Sequence, residues 1–576
     1  MYVAVVPNRN SPPAILLREG YRENGKVKNR TLANLSKWPP EKIEALKRAL
    51  KGTGESGGGS EAITSEALFE SVSSRQHGHV KAVLLAMQRL GIAKVLDTRG
   101  SRERDLVLAL IAGRIMKPAS KLGMHRSGSD TTLLEELGLE GSDEDDLYAA
   151  MDWLLERQAK VEQKLAARHL SEGGLVLYDL TSSYFEGTRC PLAKLGYSRD
   201  GKKGKLQVNY GLLTDARGCP VSVSVFEGNT ADATTFLPQV AKVREDFKVS
   251  EVVLVGDRGM ISQKQVEGLR EQNGVAWLTA LKTGAIRGLV ESGSMQLGLF
   301  DERGLFELEH PDYPGERLIA CRNPELAKRR AHTRESLLAA TTQALEEVGR
   351  MVASGRLTGA AEVGVRVGKV VNKHKVAKHF VLDIGDERFD FKRDEARIQA
   401  EAALDGVYVV RTSLPAARMS AAEVVRNYKN LSRVERAFRS MKTMDLKVRP
   451  IHHYTEARVR AHIFLCMLAY YVEWHMREVL KPLLFDDEDQ AAKAQRDPVA
   501  PAKRSAEANA KASKKKTADG YPVHSFRTLI DHLGAIVRNA CTRKGEPLDT
   551  CAKVTIETTP GPVQKRAFEL LASIQM

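Results

Sequence analysis

The sequence predicts an α/β protein with a central mixed sheet flanked by helices, and three observations support this class. Continuous apolar stretches typical of buried strands recur from Gly174 onward. They follow the order strand, hairpin, helix, strand, which is typical of a mixed sheet with helices packed on it. The residues that precede them have a helical pattern. At about 100–200 residues per domain, a chain of 576 residues predicts three to five packed units.

The N-terminal elements are predicted from apolar stretches and their breaks. Residues 1–50 predict a small β-rich unit, because VAVVP and AILLREGYR are separated by the turn sequence NRNSPP. Residues 51–60, KGTGESGGGS, have the composition of a flexible linker. Residues 61–170 carry apolar residues at spacings of three and four, which predicts helices. This helical region is a candidate for DNA binding, and plain packing is the alternative.

The central elements form an interrupted core. Residues 174–284 predict its first part, with strands at GLVLYDLTSSYFEG and VSEVVLVGDRGM and a hairpin that turns at TDARG. Residues 285–405 interrupt it with a candidate hairpin, a long helix and a basic segment. Residues 406–480 resume it, first strand-like and then helical from Ser420 to about Leu480. We therefore expect the core to close only after an insertion.

The C-terminal elements are fewer. Residues 486–520 are poor in apolar side chains and rich in alanine and lysine, so we expect a disordered or loosely helical segment. Residues 521–576 predict a short terminal unit.

Charge points to the class of partner. Lysine and arginine (88) outnumber aspartate and glutamate (73), and the isoelectric point is about 9.4. A basic protein usually binds a polyanion, most often nucleic acid. Ribosome association and a merely basic enzyme are the alternatives.

Composition also predicts the compartment. The longest nearly apolar run, Ile463 to Val472, is much shorter than the roughly 20 residues of a membrane span, so no membrane association is expected. The start of the chain lacks the pattern of a secretory signal. The six cysteines are scattered, which excludes zinc fingers and is typical of thiols in a reducing cytoplasm.

Two aspartates follow buried-type strands. Asp179 ends the apolar run LVLY, and Asp257 follows VVLVG. A charge beside a hydrophobic strand is costly unless something binds it, and chemistry in open α/β sheets collects where strands end. For either aspartate alone, capping of a turn is an equal alternative.

A third carboxylate lies on a predicted helix. Ser420 and Glu423 form the capping box that begins it. Steps of three and four residues place Glu435 on one stripe with Leu431 and Phe438, so we expect Glu435 on the inner face. A buried glutamate paired with an arginine is the alternative.

The three acids together predict a metal site. Their oxygens suit Mg²⁺ or Mn²⁺ and not zinc, and a pair of such ions supports in-line phosphoryl displacement. The other helix face carries cations that are candidates to contact phosphates, with a solvated basic face as the alternative. No P-loop motif occurs, and the G-x-S-x-G match at Gly54–Gly58 lies in the glycine-rich linker and not after a predicted strand, so ATP hydrolysis and serine esterase chemistry lack support. The cations on the other face of the predicted helix are Lys429, Arg433, Arg436 and Arg439.

Several ordered motifs carry a family resemblance. The segments YDLTSSYFEG, VNYGLLTDARGCPVSVSVFEGNTADATTF, VGDRGMIS and YKNLSRVERAFRSMK followed by VRPIHH resemble the DDE transposases of bacterial insertion sequences. More narrowly, they resemble the group whose third acid lies in a Tyr-(2)-Arg-(3)-Glu-(6)-Lys signature. The resemblance covers roughly residues 174–475.

The resemblance implies a fold and a set of site residues. It implies a ribonuclease H-like core with Asp179, Asp257 and Glu435 as catalytic, metal-binding acids. Tyr428 and Lys442 match the DNA-contacting signature residues, whereas the signature's arginine position holds Leu431 here. The family places a largely β insertion before the last acid, which fits the long gap between Asp257 and Glu435 and our interruption at 285–405.

The resemblance also implies a reaction and its partners. Metal-activated water would release a 3′-OH at the end of the element, and that hydroxyl would attack target DNA, or first the opposite strand. The partners would be double-stranded DNA, as transposon ends and target, and a second copy of the chain when DNA is bound. The compartment would be the bacterial cytoplasm. The alternatives are a domesticated or inactive DNA-binding relative and a metal-dependent nuclease on the same core.

Overall fold

The chain forms two compact units. The structure is a computed structural model. One unit consists of Met1–Glu70 with Thr542–Ala552, and the other of Ser71–Cys541 with Lys553–Met576. Residues 52–60, most of the predicted linker, lie outside the described residues. The described residues are 1–8, 12–23, 26–51, 69–296, 298, 300, 304–489, 497–500, 503–543 and 554–575.

The first unit contains an antiparallel sheet and a helix. Its strands β1 (Tyr2–Val6), β2 (Ala14–Glu23) and β3 (Lys26–Asn34) pair in the order β1-β2-β3. The Pro40–Lys51 helix follows. Its Ile43 is buried, as is Leu35 directly after β3.

The second unit begins with helices. Side-chain caps define their starts: Ser101 accepts from the backbone N–H of Arg104, and Asp143 forms a capping box with Asp146. Their apolar faces join one large core with the sheet that follows. The helices are Gly78–Arg89, Ile92–Leu96, Arg102–Met116, Lys121–Arg126, Leu133–Glu136, Glu144–Glu156 and Gln158–His169.

A nine-stranded mixed sheet forms the centre of this unit. The strands that lie wholly or mostly in the second unit are β4 (Phe69–Gln76), β5 (Gly174–Tyr184), β6 (Lys194–Leu195), β7 (Leu206–Asp215), β8 (Pro220–Glu227), β9 (Val252–Gly256), β10 (Val275–Ala280), β11 (Leu305–Leu308), β12 (Arg317–Arg322), β13 (Phe380–Ile384), β14 (Phe389–Arg393), β15 (Val407–Thr412), β16 (Val537–Arg543) and β17 (Val554–Glu557). The order of the nine-stranded sheet is β11-β12-β15-β10-β9-β5-β7-β6, with β8 paired to β7. Its β5–β9 and β9–β10 pairs are parallel, and its other pairs are antiparallel.

Helices cover this sheet. Short helices at Phe236–Ala241, Gln263–Arg270 and Thr283–Glu291 connect its strands. The Glu456–Leu480 helix is almost wholly buried and packs on β8 and on the Arg102–Met116 and Glu144–Glu156 helices. Its apolar side chains are therefore part of a protein core. Within the described part of the chain, no helix is long and apolar enough to cross a membrane.

The insertion differs from the expectation. Residues 285–405 are not β-rich, and β11 and β12 belong to the central sheet because β12 pairs with β15. The part that leaves the sheet is mostly helical, with helices at Pro324–Ala353, Ala360–His374 and Glu395–Ala402 beside the β13–β14 hairpin. The reason is its spacing of apolar residues: Leu338, Leu345, Val348, Val352, Val363, Val367 and Val371 meet in a separate small core.

The region after β15 is also less continuous than expected. The predicted helix from Ser420 is divided into Ala421–Lys429 and Leu431–Arg439, followed by a π-helical turn at Ser440–Met444. The capping box of Ser420 and Glu423 is present. A loop then leads to the Glu456–Leu480 helix.

The segment 486–520, expected to be disordered or loosely helical, contains a helix at Ala506–Lys514. Ser505 caps its start, and alanine favours the helical state. Lys511 also pairs with Glu488 at 2.7 Å. The C-terminal part adds helices at Phe526–Gly534 and Pro562–Ala572 and a sheet in the order β17-β16-β4.

Candidate active site: a cavity with three carboxylates

Strand register places Asp179 beside Asp257. In the parallel β5–β9 pair, Tyr178 is the register partner of Gly256, so the two aspartates are the next residues on adjacent strands. Asp179 does not end its strand, because β5 continues to Tyr184 in antiparallel pairing with β7. What ends at Asp179 is the parallel part of the pairing. The apolar run LVLY predicted the strand but not its length, because β5 continues through Asp179.

Glu435 reaches the same place from the Leu431–Arg439 helix, which packs on β5. The expectation of an inner-face glutamate is wrong. The side chains that this helix buries are Leu431, Val434, Ala437 and Phe438, whereas Glu435 is exposed. A spacing of three and four residues marks one side of a helix but does not separate its core from a neighbouring cavity.

The three carboxylates line one cavity of about 590 Å³. Burial, and then the negative charges of Asp257 and Glu435, raise the pKa of Asp179 to about 7. The backbone N–H of Leu180 donates to Asp179 Oδ1 at 2.8 Å, and this hydrogen bond lowers the pKa of Asp179. The site therefore concentrates negative charge before any cation binds.

Tyr428 also lines this cavity. Its hydroxyl donates to Asp257 Oδ1 at 3.2 Å. Burial, together with the Asp257 charge, raises the pKa of Tyr428. The phenol thus stays protonated and holds one oxygen of Asp257.

Part of the positive charge that lines the cavity comes from residues outside the predicted site. Arg199 donates to both carboxylate oxygens of Asp232 at 2.6 Å, and Arg449 pairs with Asp200. All four residues line the cavity. The polar sequence YSRDGKKGK around Arg199 has no spacing signal, and only the folded chain brings it to the acids.

The predicted DNA-contacting cations fall into three environments. Lys442 lines the cavity but is buried, and its Nζ lies 2.9 Å from Asp200 Oδ1. Arg433 donates to the carbonyl oxygen of Ala216 at 2.9 Å. Arg436 and Arg439 are exposed, and Arg439 lines the cavity. Lys429, from the same basic face, donates to the carbonyl oxygens of Val499 and Ala500.

The donor set of the cavity fits a divalent cation. Asp179, Asp257 and Glu435 offer only carboxylate oxygens, which are ligands for hard ions such as Mg²⁺ and Mn²⁺. Burial is the main cause of the raised pKa of Asp179, and a bound cation would offset the added repulsion from Asp257 and Glu435. The arrangement can therefore position a metal beside a polyanionic substrate, with Arg439 as an exposed cation on the cavity wall.

Comparison with known proteins defines the class. Residues 171–472 match the family model described as the transposase DDE domain, and residues 3–62 match the N-terminal domain of IS1634 family transposases. The chain is also similar to the cryo-EM structure of a piggyBac transposase synaptic complex with hairpin DNA. The similarity covers 69% of this chain and 72% of that chain, at 9% sequence identity and a TM-score of 0.34. No curated protein matches.

The chain belongs to the DDE transposase family. It is a transposase of an insertion sequence, an enzyme that cleaves DNA and transfers the cut strand to a target. The family implies a divalent metal cofactor and a DNA substrate.

Proposed function

We propose that Asp179, Asp257 and Glu435 are the catalytic acids of this transposase and that they bind Mg²⁺, for which Mn²⁺ can substitute. We further propose that the central sheet is a ribonuclease H-like core. The observation that carries the proposal is the register of β5 and β9, which aligns two of the acids on adjacent strands. The third acid lines the same cavity from a separate helix.

The chain's own groups would orient the reactants. The bound metal supplies activation of the attacking oxygen and stabilisation of the leaving one. Tyr428 and the Leu180 N–H hold oxygens of Asp257 and Asp179, which fixes how the carboxylates face the cavity. Arg439 provides an exposed cation on the cavity wall for phosphate. The reaction then depends on positioning and charge and needs no covalent protein–DNA bond.

The DNA partner is the element's own terminal repeat, bound by two copies of the chain, and the 3′-OH released there attacks target DNA in the bacterial cytoplasm. Tyr428, Lys442, Arg433, Arg436 and Arg439 are the proposed DNA contacts. The net charge of +15 supports this partner. Support is strongest for Arg436 and Arg439, since their side chains are exposed.

A test is strand transfer with purified protein, Mg²⁺, a duplex that carries the ends of the element, and supercoiled plasmid as target. We expect joined products from the natural chain and none from Asp179→Asn. The control is Asp312→Asn, which neutralises an exposed carboxylate outside the cavity. Joined products from Asp179→Asn at the natural rate would refute the assignment of Asp179.

Leu431 motivates the second candidate, an inactive DNA-binding relative. This residue is buried and supplies no cation at the signature's arginine position. The cavity nevertheless has cations in Arg199, Arg439, Lys442 and Arg449, so we favour an active enzyme. Specific end binding without cleavage in Mg²⁺ or Mn²⁺ would favour the relative, and cleavage without joining would favour a nuclease.

A further inference from the structure

Two histidines and a cysteine meet away from the carboxylate cavity. His169 ends the Gln158–His169 helix, Cys219 lies between β7 and β8, and His475 lies in the Glu456–Leu480 helix. One ligand atom from each residue lies within 4.8 Å of the other two. In the described part of the chain, no other three residues among histidine, cysteine, aspartate and glutamate meet so closely. Residues far apart in sequence thus converge at one point.

The distances suit a tetrahedral metal. Cys219 Sγ lies 3.7 Å from His475 Nε2 and 3.9 Å from His169 Nε2. Zinc bonds of about 2.3 Å to sulfur and about 2.0–2.1 Å to nitrogen, at a tetrahedral angle, place sulfur and nitrogen about 3.6 Å apart. Hydrogen bonds would account for both contacts only if Cys219 Sγ donated to one Nε2 and accepted from the other.

The surroundings suit a ligand set held in a core. Cys219 is fully buried and His475 nearly so. Asp215 Oδ1 accepts from the Cys219 N–H at 2.9 Å, an outer contact that orients this ligand. The Tyr471 hydroxyl lies 2.9 Å from His169 Nε2, the nitrogen that would bind the metal, and so adjoins the proposed ion directly.

We propose that His169, Cys219 and His475 bind a Zn²⁺ ion at a structural site separate from the carboxylate cavity. Two imidazoles and a thiolate select zinc over magnesium. Binding releases the Cys219 thiol proton to solvent, and a water or the Tyr471 hydroxyl completes the fourth position.

The site braces the helix that carries Glu435. The turn before Cys219 contacts this helix, since Arg433 donates to the Ala216 carbonyl oxygen at 2.9 Å. A Cβ added at Gly218 would lie 2.8 Å from Arg433 Cβ, so the turn and the helix are in close contact. Zinc that joins this turn to the Gln158–His169 and Glu456–Leu480 helices thereby fixes the surface on which the acid-bearing helix rests.

The test measures metal in the full chain without reference to activity. We expect about one zinc per chain by elemental analysis, and a thiolate-to-cobalt charge-transfer absorption after Co²⁺ substitution. Cys219→Ser abolishes this absorption and lowers zinc content at least tenfold. The matched control Cys466→Ser, in a buried cysteine on the same helix as His475, keeps both signals. Asp257→Asn also keeps them, because the carboxylate cavity does not contribute sulfur.

A second measurement requires no variant. Metal-free natural chain is titrated with Zn²⁺ against a chromophoric chelator, and the melting temperature is followed in parallel. Uptake of one ion with a rise in melting temperature supports the site. Folded natural chain that takes up no zinc, or a charge-transfer absorption that survives in Cys219→Ser, overturns the proposal.

Discussion

The carboxylate cavity and the His169–Cys219–His475 cluster contrast in chemistry and in exposure. Asp257 and Glu435 are exposed and offer oxygen, whereas Cys219 and His475 are buried and offer sulfur and nitrogen. An exposed set of hard ligands can exchange its ion and admit a large substrate. A buried set of soft ligands is suited to retain an ion and hold elements together. One compact unit would thus hold a reactive ion at an exposed site of oxygen ligands and a stabilising ion at a buried site of sulfur and nitrogen ligands.

The two regions are joined by one helix. Glu435 faces the cavity from the Leu431–Arg439 helix, while Arg433 on the same helix contacts the turn that leads to Cys219. A disturbance at the turn should therefore reach the acids, although the ligands of the two sites differ.

The largest expected effect separates chemistry from binding in the cavity. Glu435→Gln and Asp257→Asn should each lower the strand-transfer rate at least about a thousandfold, because loss of a metal ligand removes several kcal/mol of transition-state stabilisation. End binding, measured by gel shift without metal, should change less than threefold. Glu346→Gln, an exposed glutamate on the insertion helix, is the matched control. An equal loss of binding and rate would argue against a metal-ligand role.

The next effect concerns pH and applies only to the metal-free cavity. The pKa of Asp179 is about 7 in the folded chain, above its ordinary value of 3.8. The folded state therefore holds this proton between about pH 4 and pH 7 while the unfolded chain has lost it, so the unfolding free energy falls as pH rises through that window. At pH 8 without metal, Asp179→Asn should be the more stable protein by roughly 1–3 kcal/mol, after allowance for solvent screening.

Denaturant titrations at pH 4 and pH 8 measure this difference. Burial also raises the pKa of Glu473 to about 7, but its titration is common to both proteins and cancels in the comparison. A stability gain that is the same at both pH values would contradict the assigned cause.

A smaller effect tests the contact between the regions. Gly218 has φ +86, and a Cβ there would collide with Arg433, whereas Gly355 has φ +69 and open space around its Cβ position. Alanine at either position destabilises the fold by about 1–2 kcal/mol, because the backbone there is left-handed. Gly218→Ala adds the steric collision with Arg433. We expect Gly218→Ala to be more destabilising than Gly355→Ala in thermal unfolding and to slow strand transfer, while Gly355→Ala does not. Equal effects would indicate that the turn and the helix are independent.

The smallest effect distinguishes two arginines of the same helix. Arg439 is exposed on the cavity wall, so Arg439→Ala should reduce the salt dependence of end binding by about one unit of slope. Arg433 already donates to a backbone carbonyl, so Arg433→Ala should change the slope less than Arg439→Ala and should lower the melting temperature more. Binding isotherms over a range of salt concentrations measure both. The reverse pattern would exchange the two roles.

The sequence alone predicts the mixed sheet from continuous apolar strands such as β9, and it places Asp257 correctly directly after that strand. It ends β5 too early, at Asp179. It predicts Glu435 as a site residue but places it on the wrong face, since helical spacing does not distinguish a core from a cavity. The family's β-rich insertion is not found here, where valines at Val363, Val367 and Val371 follow a helical spacing.

Long-range partners are the part that local patterns miss. Asp200 and Lys442 are distant in sequence and pair only when the π-helical turn approaches the loop before β7. His169, Cys219 and His475 have no zinc-finger spacing, and the scattered cysteines exclude zinc fingers but not a site assembled by the fold. The fold assembles the cluster from three elements, which no local pattern could predict.

The most direct measurement maps the bound ions along the backbone. Fe²⁺ with ascorbate and peroxide cleaves a protein chain near the bound metal, and the fragments are identified by mass spectrometry. We predict cuts near Asp179, Asp257 and Glu435 that excess Mg²⁺ suppresses, and cuts near Cys219 that Zn²⁺ but not Mg²⁺ suppresses. Absence of Mg²⁺-sensitive cuts near all three acids, in protein active for strand transfer, would contradict the account.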